Sequence, residues 1–434
     1  MNLNYDFKSS IQNIPTFTVK IIVPQKAFDK NLQYYKFCFY GFFKNLRFFE
    51  AFLILFFLEN GLDFLQIGIL YSIREIIIVL MEMPSGLLAD TFGRRKTLVT
   101  AFIIYAVSFI GFSVSNNFML FAFSMAVFAL ADAFRTGVHK AMIFQYLKVQ
   151  GWEKQKINYY GHTRSWSQAG SAISAVIAAF VVFVSGSYQL IFVAATIPYL
   201  IDAVLIWSYP KYLDGEKVSF SKSHLTNQFT LVFDSFKKSF SNIRIFRTLT
   251  NLSLYTGYYR SVKDYIQPLI KVMALSLPLF AWLTDEKKTA LLIGGFYFFT
   301  YLLTSIASKH SGSFNKYFKT ASKPMNLTII TGFATGIAVG LFFEYGFYVV
   351  SVLGFVLLMI IENLRKPIGI SLIAEQSEDK AMASVLSAQS QAKSVFAAII
   401  APLLGLAADI FSPGISVLII SAFLLLGFTL YKIR

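Results

Sequence analysis

The sequence predicts an all-α membrane protein with twelve transmembrane helices arranged as two pseudo-symmetric six-helix bundles. Three observations lead to this fold class. Of the 434 residues, 56% are hydrophobic and only 14% charged, whereas about 25% of the residues in a soluble protein are charged. Twelve apolar stretches are long enough to cross a bilayer as helices. A long basic connection separates these stretches into two sets of six.

The twelve predicted spans are numbered in chain order and cover residues 36–59, 63–88, 97–115, 118–147, 159–185, 188–208, 247–274, 288–308, 325–343, 346–373, 381–409 and 414–431. They define an N-terminal bundle over residues 36–208 and a C-terminal bundle over residues 247–434, joined by a cytoplasmic linker at 209–246. Residues 1–35 lack the pattern of a cleavable signal and are expected to form a cytoplasmic extension.

Charge indicates the orientation of these spans. The net charge of +16 would suggest a nucleic-acid partner in a soluble protein, but in a membrane protein Lys and Arg collect in cytoplasmic loops. Basic residues follow spans 2, 4, 6, 8 and 12, and the alternate loops have almost none. Only Lys287 and Lys288 break the alternation. Both termini are therefore predicted to be cytoplasmic, and the Lys- and Phe-rich composition suggests a bacterial inner membrane.

Two short matches indicate an internal repeat. Residues 167–171 (SQAGS) in span 5 resemble residues 390–394 (SQAKS) in span 11, and residues 132–135 (DAFR) in span 4 resemble residues 362–365 (ENLR) in span 10. The offsets of 223 and 230 residues are similar, which favours duplication. Repeated bundles around a midplane site are typical of secondary transporters.

The loop between spans 2 and 3 carries a specific motif, GLLADTFGRRK at residues 86–96, here called the signature loop. It closely resembles the signature loop of the major facilitator superfamily, and the twelve spans in a six-plus-six division agree with that family. The resemblance implies an alternating-access transporter in which this loop gates the transport cycle and does not bind substrate. The gating residues it implies are Gly86, Asp90, Gly93, Arg94 and Arg95. Gly86 is expected to allow a close helix approach, and Asp90 to accept a hydrogen bond or ion pair from neighbouring helix ends.

Three further segments either depart from the family pattern or resemble it at an unexpected place. The equivalent loop of the second half, residues 305–316, is degenerate, because Lys309 stands where the acid is expected. Span 5 lacks the glycine-proline pattern of many drug-proton antiporters, which disfavours a drug exporter. Residues 405–409 (GLAAD) resemble the signature loop but fall at the opposite side of the membrane, so they are interpreted as an ordinary helix end.

Charged residues inside the spans are the main candidates for function, because each costs about 2.5–3.5 kcal/mol at the centre of a bilayer. Four clusters lie in the first and fourth helices of each half, at steps that place each cluster on one helix face. These helices line the central cavity in the family. Span 2 adds Arg74 and Glu75, and span 11 adds Lys393. The candidate substrate-binding residues are Arg47, Arg74, Arg135, Arg260, Lys263, Arg365 and Lys393. The candidate proton-coupling or ion-pair residues are Glu50, Glu75, Asp132, His139, Asp264 and Glu362.

Cations outnumber acids in the spans. Without the end turns, we count six acids and eleven cations, so complete pairing leaves about five positive charges, which attract anions. Arg47 and Arg260 are expected to face each other across the two halves, a placement that resembles the arginine pair of organophosphate:phosphate antiporters. Protonation of Glu50, Asp132 or Glu362 would free a neighbouring arginine for substrate, and His139 is either a proton-linked switch or a packing residue.

The sequence therefore predicts a secondary transporter of an organic or phosphorylated anion, coupled to a proton or a counter-anion and acting as a monomer. Two alternatives remain open: an exporter of lipophilic compounds, and a non-transporting receptor of the same fold. A membrane enzyme is disfavoured because no nucleophile is paired with a base at a recognisable spacing. The sequence also has no phosphate-binding glycine loop and no Cys/His metal spacing, so neither a cofactor nor a metal is predicted.

Overall fold

A computed structural model describes residues 28–215, residue 230, residues 243–376 except 279 and 281, and residues 379–433. The side chains of residue 157 and residues 379–384 are not part of this description. Most of the predicted N-terminal extension and linker lies outside the described residues. The extension and linker boundaries, and both bundle boundaries, therefore stay predictions.

The twelve predicted spans are confirmed as helices. The first six spans comprise Leu32–Lys44 with Leu53–Glu59, Phe64–Phe92, Arg94–Val114, Phe118–Arg135 with Val138–Val149, Lys156–Ser185, and Leu190–Trp207. The last six comprise Ile243–Val262 with Ile266–Ser276, Asp285–Lys316, Ser322–Glu344, Tyr348–Gln376, Asp379–Ile410, and Pro413–Leu426 with Phe428–Tyr431. Within the described residues, nine helical stretches are long and apolar enough to span a membrane.

Spans 1, 4 and 7 are interrupted near their charged clusters. Span 1 stops at Lys44 and resumes through a 3-10 turn at Phe48–Ala51. In span 4, Gly137 has a φ of +81° between the two helical segments, a conformation that favours glycine. A 3-10 turn at Lys263–Tyr265 divides span 7. The expectation that each cluster lies on one continuous helix face is therefore wrong for these three spans.

The same helix pairs pack in both halves. Span 1 lies so close to span 5 that a Cβ added at Gly170 would lie 2.4 Å from the carbonyl oxygen of Phe42. Span 7 also approaches span 11 closely, because a Cβ at Gly257 would lie 2.9 Å from the carbonyl oxygen of Lys393. Both pairings involve the repeated segments of spans 5 and 11, which is the arrangement a duplication would produce.

The two halves meet tightly at one end of the bundle. The name "outer end" is used for the span ends near residues 59–64 and 409–413, and "inner end" for those that carry the signature loop. Near the outer end, an added Cβ at Gly68 of span 2 would lie 2.5 Å from the carbonyl oxygen of Ala401 in span 11. Spans 5 and 8 meet similarly, since an added Cβ at Gly294 would lie 2.4 Å from the Cβ of Ala179. The structure is therefore closed at its outer end.

Span 8 is longer than predicted and continues to Lys316. Residues 305–316 therefore lie in the helix, as residues 86–92 of the signature loop lie in the helix of span 2, and the equivalence of the two segments stays a prediction. The apolar pattern ends near residue 308, but the polar residues that follow extend the same helix beyond the apolar stretch.

Candidate functional site

An ion-pair layer joins spans 1 and 7 across the two halves. Lys263 donates to Glu50 at 3.1 Å and to Asp264 at 2.9 Å. Gln267 reinforces this contact, because its side-chain amide donates to the carbonyl oxygen of Glu50 and accepts from the backbone N–H of Ile54, both at 2.9 Å. The interruptions in both helices bring these groups together.

A second part of the layer joins spans 2 and 7. Glu75, whose side chain is 2% exposed, receives Arg74 at 3.0 Å and Arg260 at 2.7 Å. Tyr71 donates to Asp264 at 3.1 Å. The guanidinium of Arg74 lies over the Tyr71 ring, 4.9 Å from its centroid. Acids and cations of spans 2 and 7 thus pair with each other where the two halves touch.

The N-terminal half holds a separate cluster around Asp132. Arg135 and Tyr105 both donate to this carboxylate, at 2.5 Å and 2.6 Å, and Arg135 also donates to the Tyr105 hydroxyl at 3.0 Å. Arg47 lies at 3.9 Å from the same carboxylate oxygen. Asp132 therefore neutralises part of the charge of two arginines.

A polar cavity of about 250 Å³ lies between spans 1, 4 and 5. Lys44, His139 and Arg164 line it together with neutral polar side chains that include Asn45 and Gln168. Among the described residues that form this cavity there is no carboxylate. The three basic side chains therefore give it a positive lining.

A smaller neighbouring cavity shares two of these walls, Asn45 and Ser171, and is also lined by Arg47, Glu50 and Tyr301. Tyr301 belongs to span 8 of the other half. The positive cavity thus continues toward the ion-pair layer between the halves.

His139 is fixed by packing at the cavity wall. Its ring stacks on Tyr40 with centroids 3.5 Å apart, and its Nε2 lies 3.2 Å from the Tyr209 hydroxyl. These contacts agree with the packing interpretation of this histidine, and its role as a switch stays a prediction.

The candidates of the C-terminal half are more enclosed. Arg365 is fully buried, donates to the Asn251 side chain at 2.6 Å, and lies over the Tyr255 ring at 4.4 Å. Glu362 accepts from Thr256 at 3.0 Å. In this conformation Arg365 holds span 10 against span 7, and its assignment to substrate binding stays a prediction.

Lys393 of span 11 lies among charges of both halves. It is surrounded electrostatically by Arg260 and Lys366 of its own half and by Glu75 and Glu82 of span 2. It therefore sits beside the ion-pair layer, at the inner side of the contact between spans 2 and 11.

The signature loop packs against its own half. Asp90 accepts from Arg94 at 3.3 Å. The backbone N–H of Arg95 donates to Asp214 at 2.7 Å, and the Arg95 guanidinium donates to the carbonyl oxygen of Tyr209 at 3.1 Å. The turn at Gly93 has a φ of +101°. The loop is thus held by the segment that follows span 6.

The expected close approach at Gly86 is wrong for this conformation. A Cβ added there would have nothing within 4 Å. The inner end of span 2 is free of close neighbours at this position because the halves touch at the outer end.

The contacts of Asp409 contradict the expectation for residues 405–409. Its carboxylate in span 11 accepts the backbone N–H groups of Phe64 at 2.9 Å and Leu65 at 2.7 Å, at the start of span 2. An added Cβ at Gly405 would lie 2.2 Å from the carbonyl oxygen of Phe64. The interpretation of residues 405–409 as an ordinary helix end is therefore wrong, because the segment caps a helix of the other half.

Arg47 and Arg260 lie in different clusters. Arg47 is engaged with Asp132 inside the N-terminal half, whereas Arg260 is engaged with Glu75 across the halves. The resemblance to the arginine pair of organophosphate:phosphate antiporters is unconfirmed.

One intramembrane acid was missed. Asp202 in span 6 is fully buried, and neither of its carboxylate oxygens has a hydrogen-bond partner among the described residues. The cations that act on it are Lys44 and Arg135. The same search for ionisable residues within spans would have found it, and it lowers the excess of cations from five to about four.

Metal ligation has no support in the described part of the chain, where no group of three His, Cys, Asp or Glu side chains is suited to an ion. The charged groups are engaged with one another or line the cavities.

Comparison with known proteins decides the family. The sequence model of the Major Facilitator Superfamily matches residues 37–402. This chain belongs to the major facilitator superfamily. It is therefore a multi-pass membrane protein classified with the transporters of this superfamily.

Individual relatives give less detail. The chain is 29% identical over 84 residues to the uncharacterized MFS-type transporter YxaM of Bacillus subtilis (strain 168), a match over 19% of this chain and 21% of that protein. The matched segment thus spans about a fifth of the relative's length.

Solved structures agree in fold at low identity. The nucleoside transporter NupG aligns with a TM-score of 0.69 at 14% identity, covering 92% of this chain and 97% of NupG. A POT family transporter in complex with 5-aminolevulinic acid aligns with a TM-score of 0.71 at 15% identity, covering 94% and 98%. A D-xylose-proton symporter aligns with a TM-score of 0.63 at 11% identity, covering 90% and 95%. These likenesses show the fold alone.

Proposed function

We propose that this transporter moves a small organic or phosphorylated anion across the membrane and binds it in the cavity between spans 1, 4 and 5 of its N-terminal half. The observation that carries this proposal is the positive cavity of about 250 Å³, which Lys44, His139 and Arg164 line without a described carboxylate. Basic side chains in a low-dielectric cavity attract anions and repel cations. Guanidinium and ammonium groups bind carboxylate or phosphate through charge-assisted hydrogen bonds.

The neutral lining of the cavity suits the rest of such a solute. Asn45, Ser167, Gln168 and Ser171 offer hydrogen-bond donors and acceptors. A polar, hydroxylated or amide-bearing anion would satisfy them, whereas an apolar compound would leave them unpaired at a cost. This favours a hydrophilic anion over the lipophilic alternative.

The coupling residue we favour is Glu50. It belongs to the smaller cavity and at the same time accepts from Lys263 of the other half. Its protonation would weaken the bridge between the halves and release positive charge toward the cavity. Asp132 and Glu362 remain candidates on the same logic, since each neighbours an arginine.

Transport in proteoliposomes tests the proposal. We would measure uptake of radiolabelled organic phosphates and carboxylates by the wild type, by Lys44→Gln with Arg164→Gln, and by Lys140→Gln as a matched control. Lys140 is a span 4 cation that packs over the Phe144 and Tyr160 rings. The double variant should lose anion uptake at least tenfold, while the control keeps it.

Three other results would contradict the proposal. Equal loss in the control would show that the loss is not specific to the cavity cations Lys44 and Arg164. Uptake of a lipophilic cation with no anion uptake would favour the export alternative. Anion binding without counterflow would favour the receptor alternative, since counterflow requires the site to alternate between the two sides.

A further inference from the structure

An apolar groove lies on the surface where the two halves meet near the outer end. It measures about 370 Å³ and is lined by span 5, including Val176, Phe180 and Phe183, and by span 8, including Leu291 and Phe298. Its floor is formed where Gly294 packs against span 5. The next glycine, Gly295, has nothing within 4 Å of an added Cβ, so the groove is open above it.

A cation stands at the rim of this groove. The Nζ of Lys287 lies 5.5 Å from the centroid of the Phe183 ring. In the described part of the chain Lys287 forms no ion pair, whereas the adjacent Lys288 pairs with Asp285 at 3.5 Å. Lys287 therefore offers a free positive charge beside an apolar channel, at the one loop where the alternation of basic residues fails.

The rim lies at the level expected for lipid headgroups. Trp282, five residues before Lys287, has 79% of its surface exposed, and tryptophan is enriched where a membrane meets water. Lys287 lies in the first turn of the span 8 helix, which begins at Asp285 at the same end. The cation and the groove thus lie as the headgroup and an acyl chain of one lipid molecule would.

We propose that the groove between spans 5 and 8 binds an anionic phospholipid, with one acyl chain in the groove and the phosphate group at Lys287. The walls come from both halves, so the lipid contacts the two bundles only while their outer ends are together. Bound lipid therefore favours the conformation closed at the outer end, because a ligand shifts an equilibrium by its differential affinity for the two states.

Native mass spectrometry of the detergent-purified full chain tests this site. Phosphatidylglycerol and phosphatidylcholine with identical acyl chains would be titrated against the wild type, Lys287→Gln and the matched control Lys288→Gln. A surface cation contributes about 1 kcal/mol to binding of an anionic lipid, which is about fivefold in affinity. Lys287→Gln should weaken phosphatidylglycerol binding about fivefold and leave phosphatidylcholine unchanged.

A third variant tests the acyl-chain part. Gly295→Leu adds a side chain to the groove at a position where an added Cβ has nothing within 4 Å, and it should weaken binding of both lipids. Glycerol phosphate, which has the headgroup without the chains, should fail to compete with phosphatidylglycerol.

The inference is overturned if Lys287→Gln and Lys288→Gln behave alike, or if phosphatidylcholine binds as tightly as phosphatidylglycerol. It is also overturned if glycerol phosphate competes, because the site would then be one for free phosphate. Equal melting temperatures of the variants exclude misfolding as a cause.

Discussion

The contact between Asp409 and span 2 should bias the transport cycle toward the conformation closed at the outer end. Asp409 accepts two backbone N–H groups at the start of a helix in the other half. When the outer end opens, the halves separate and this carboxylate must leave. The substitution Asp409→Ala removes both acceptors while leaving the structure within each half intact.

The size of the effect follows from the kind of bond. Replacing a side chain that caps a helix N-terminus by Ala costs about 0.5–2 kcal/mol, typically ~1. Asp409 is exposed, so water satisfies the freed N–H groups and the lower half of this range applies. A change of about 1 kcal/mol should shift the ratio of the two conformations about fivefold toward opening of the outer end.

Distance measurement between two spin labels is the assay. The chain has one cysteine, the buried Cys38, which can be replaced by Ser before labels are placed at Asn116→Cys and Tyr345→Cys. Asn116 belongs to the N-terminal half and Tyr345 to the C-terminal half, and both are exposed at the outer end. Asp409→Ala should enlarge the population with the longer label distance about fivefold.

A matched control distinguishes the loss of this latch, the contact between Asp409 and the start of span 2, from a general effect of losing an acid. Glu344 accepts from Ser412 at the same end of the molecule, but both residues belong to the C-terminal half. Glu344→Ala should leave the distance distribution unchanged. If Asp409→Ala changes nothing, or if both variants change it equally, the proposed latch is wrong.

Three further predictions concern contacts of the same kind. Gly68→Val places side-chain atoms where an added Cβ already lies 2.5 Å from a carbonyl oxygen; it should keep the outer end open in the spin-label experiment and reduce transport at least tenfold, and normal transport would contradict this. Glu50→Gln should lower the slope of transport rate against pH. The double variant Glu50→Gln with Lys263→Gln should transport about as slowly as either single variant, because both substitutions remove the same bridge. Additive effects in this double-mutant cycle would refute the shared role. Asp214→Ala removes the acceptor of the Arg95 backbone N–H and should lower stability by about 1–3 kcal/mol, seen as a lower melting temperature; an unchanged melting temperature would show that water replaces the contact.

The fold could be predicted because its main determinants are local. Span 9 was predicted at residues 325–343 and is observed at Ser322–Glu344, since an apolar stretch of that length must form its hydrogen bonds within itself in a membrane. The signature loop was equally readable, because its glycine and cations lie within one short segment. Sequence spacing is sufficient to predict features whose residues lie close together in the chain.

The arrangement of the site could not be predicted in the same way. The spacing of Lys44, Arg47 and Glu50 suggested a shared helix face, but the helix stops at Lys44. The three side chains then reach different surroundings: the polar cavity, Asp132 in span 4, and Lys263 in span 7. The partners that stabilise the interrupted helix come from other spans through tertiary packing, and no pattern in the local sequence indicates which residues they are.

The position of the acids limits where an anion can bind while the outer end is closed. Arg260 and Lys263 are each held by a carboxylate at 3.1 Å or less, so an anion that took either cation would have to displace that acid. Both contacts cross between the halves, and such displacement would weaken the closure itself. No carboxylate is among the described residues that line the cavity of Lys44 and Arg164, although Lys44 interacts electrostatically with the buried Asp202. An anion entering from the inner end is therefore expected to meet these two cations first, and to disturb the ion-pair layer only as the transporter changes state.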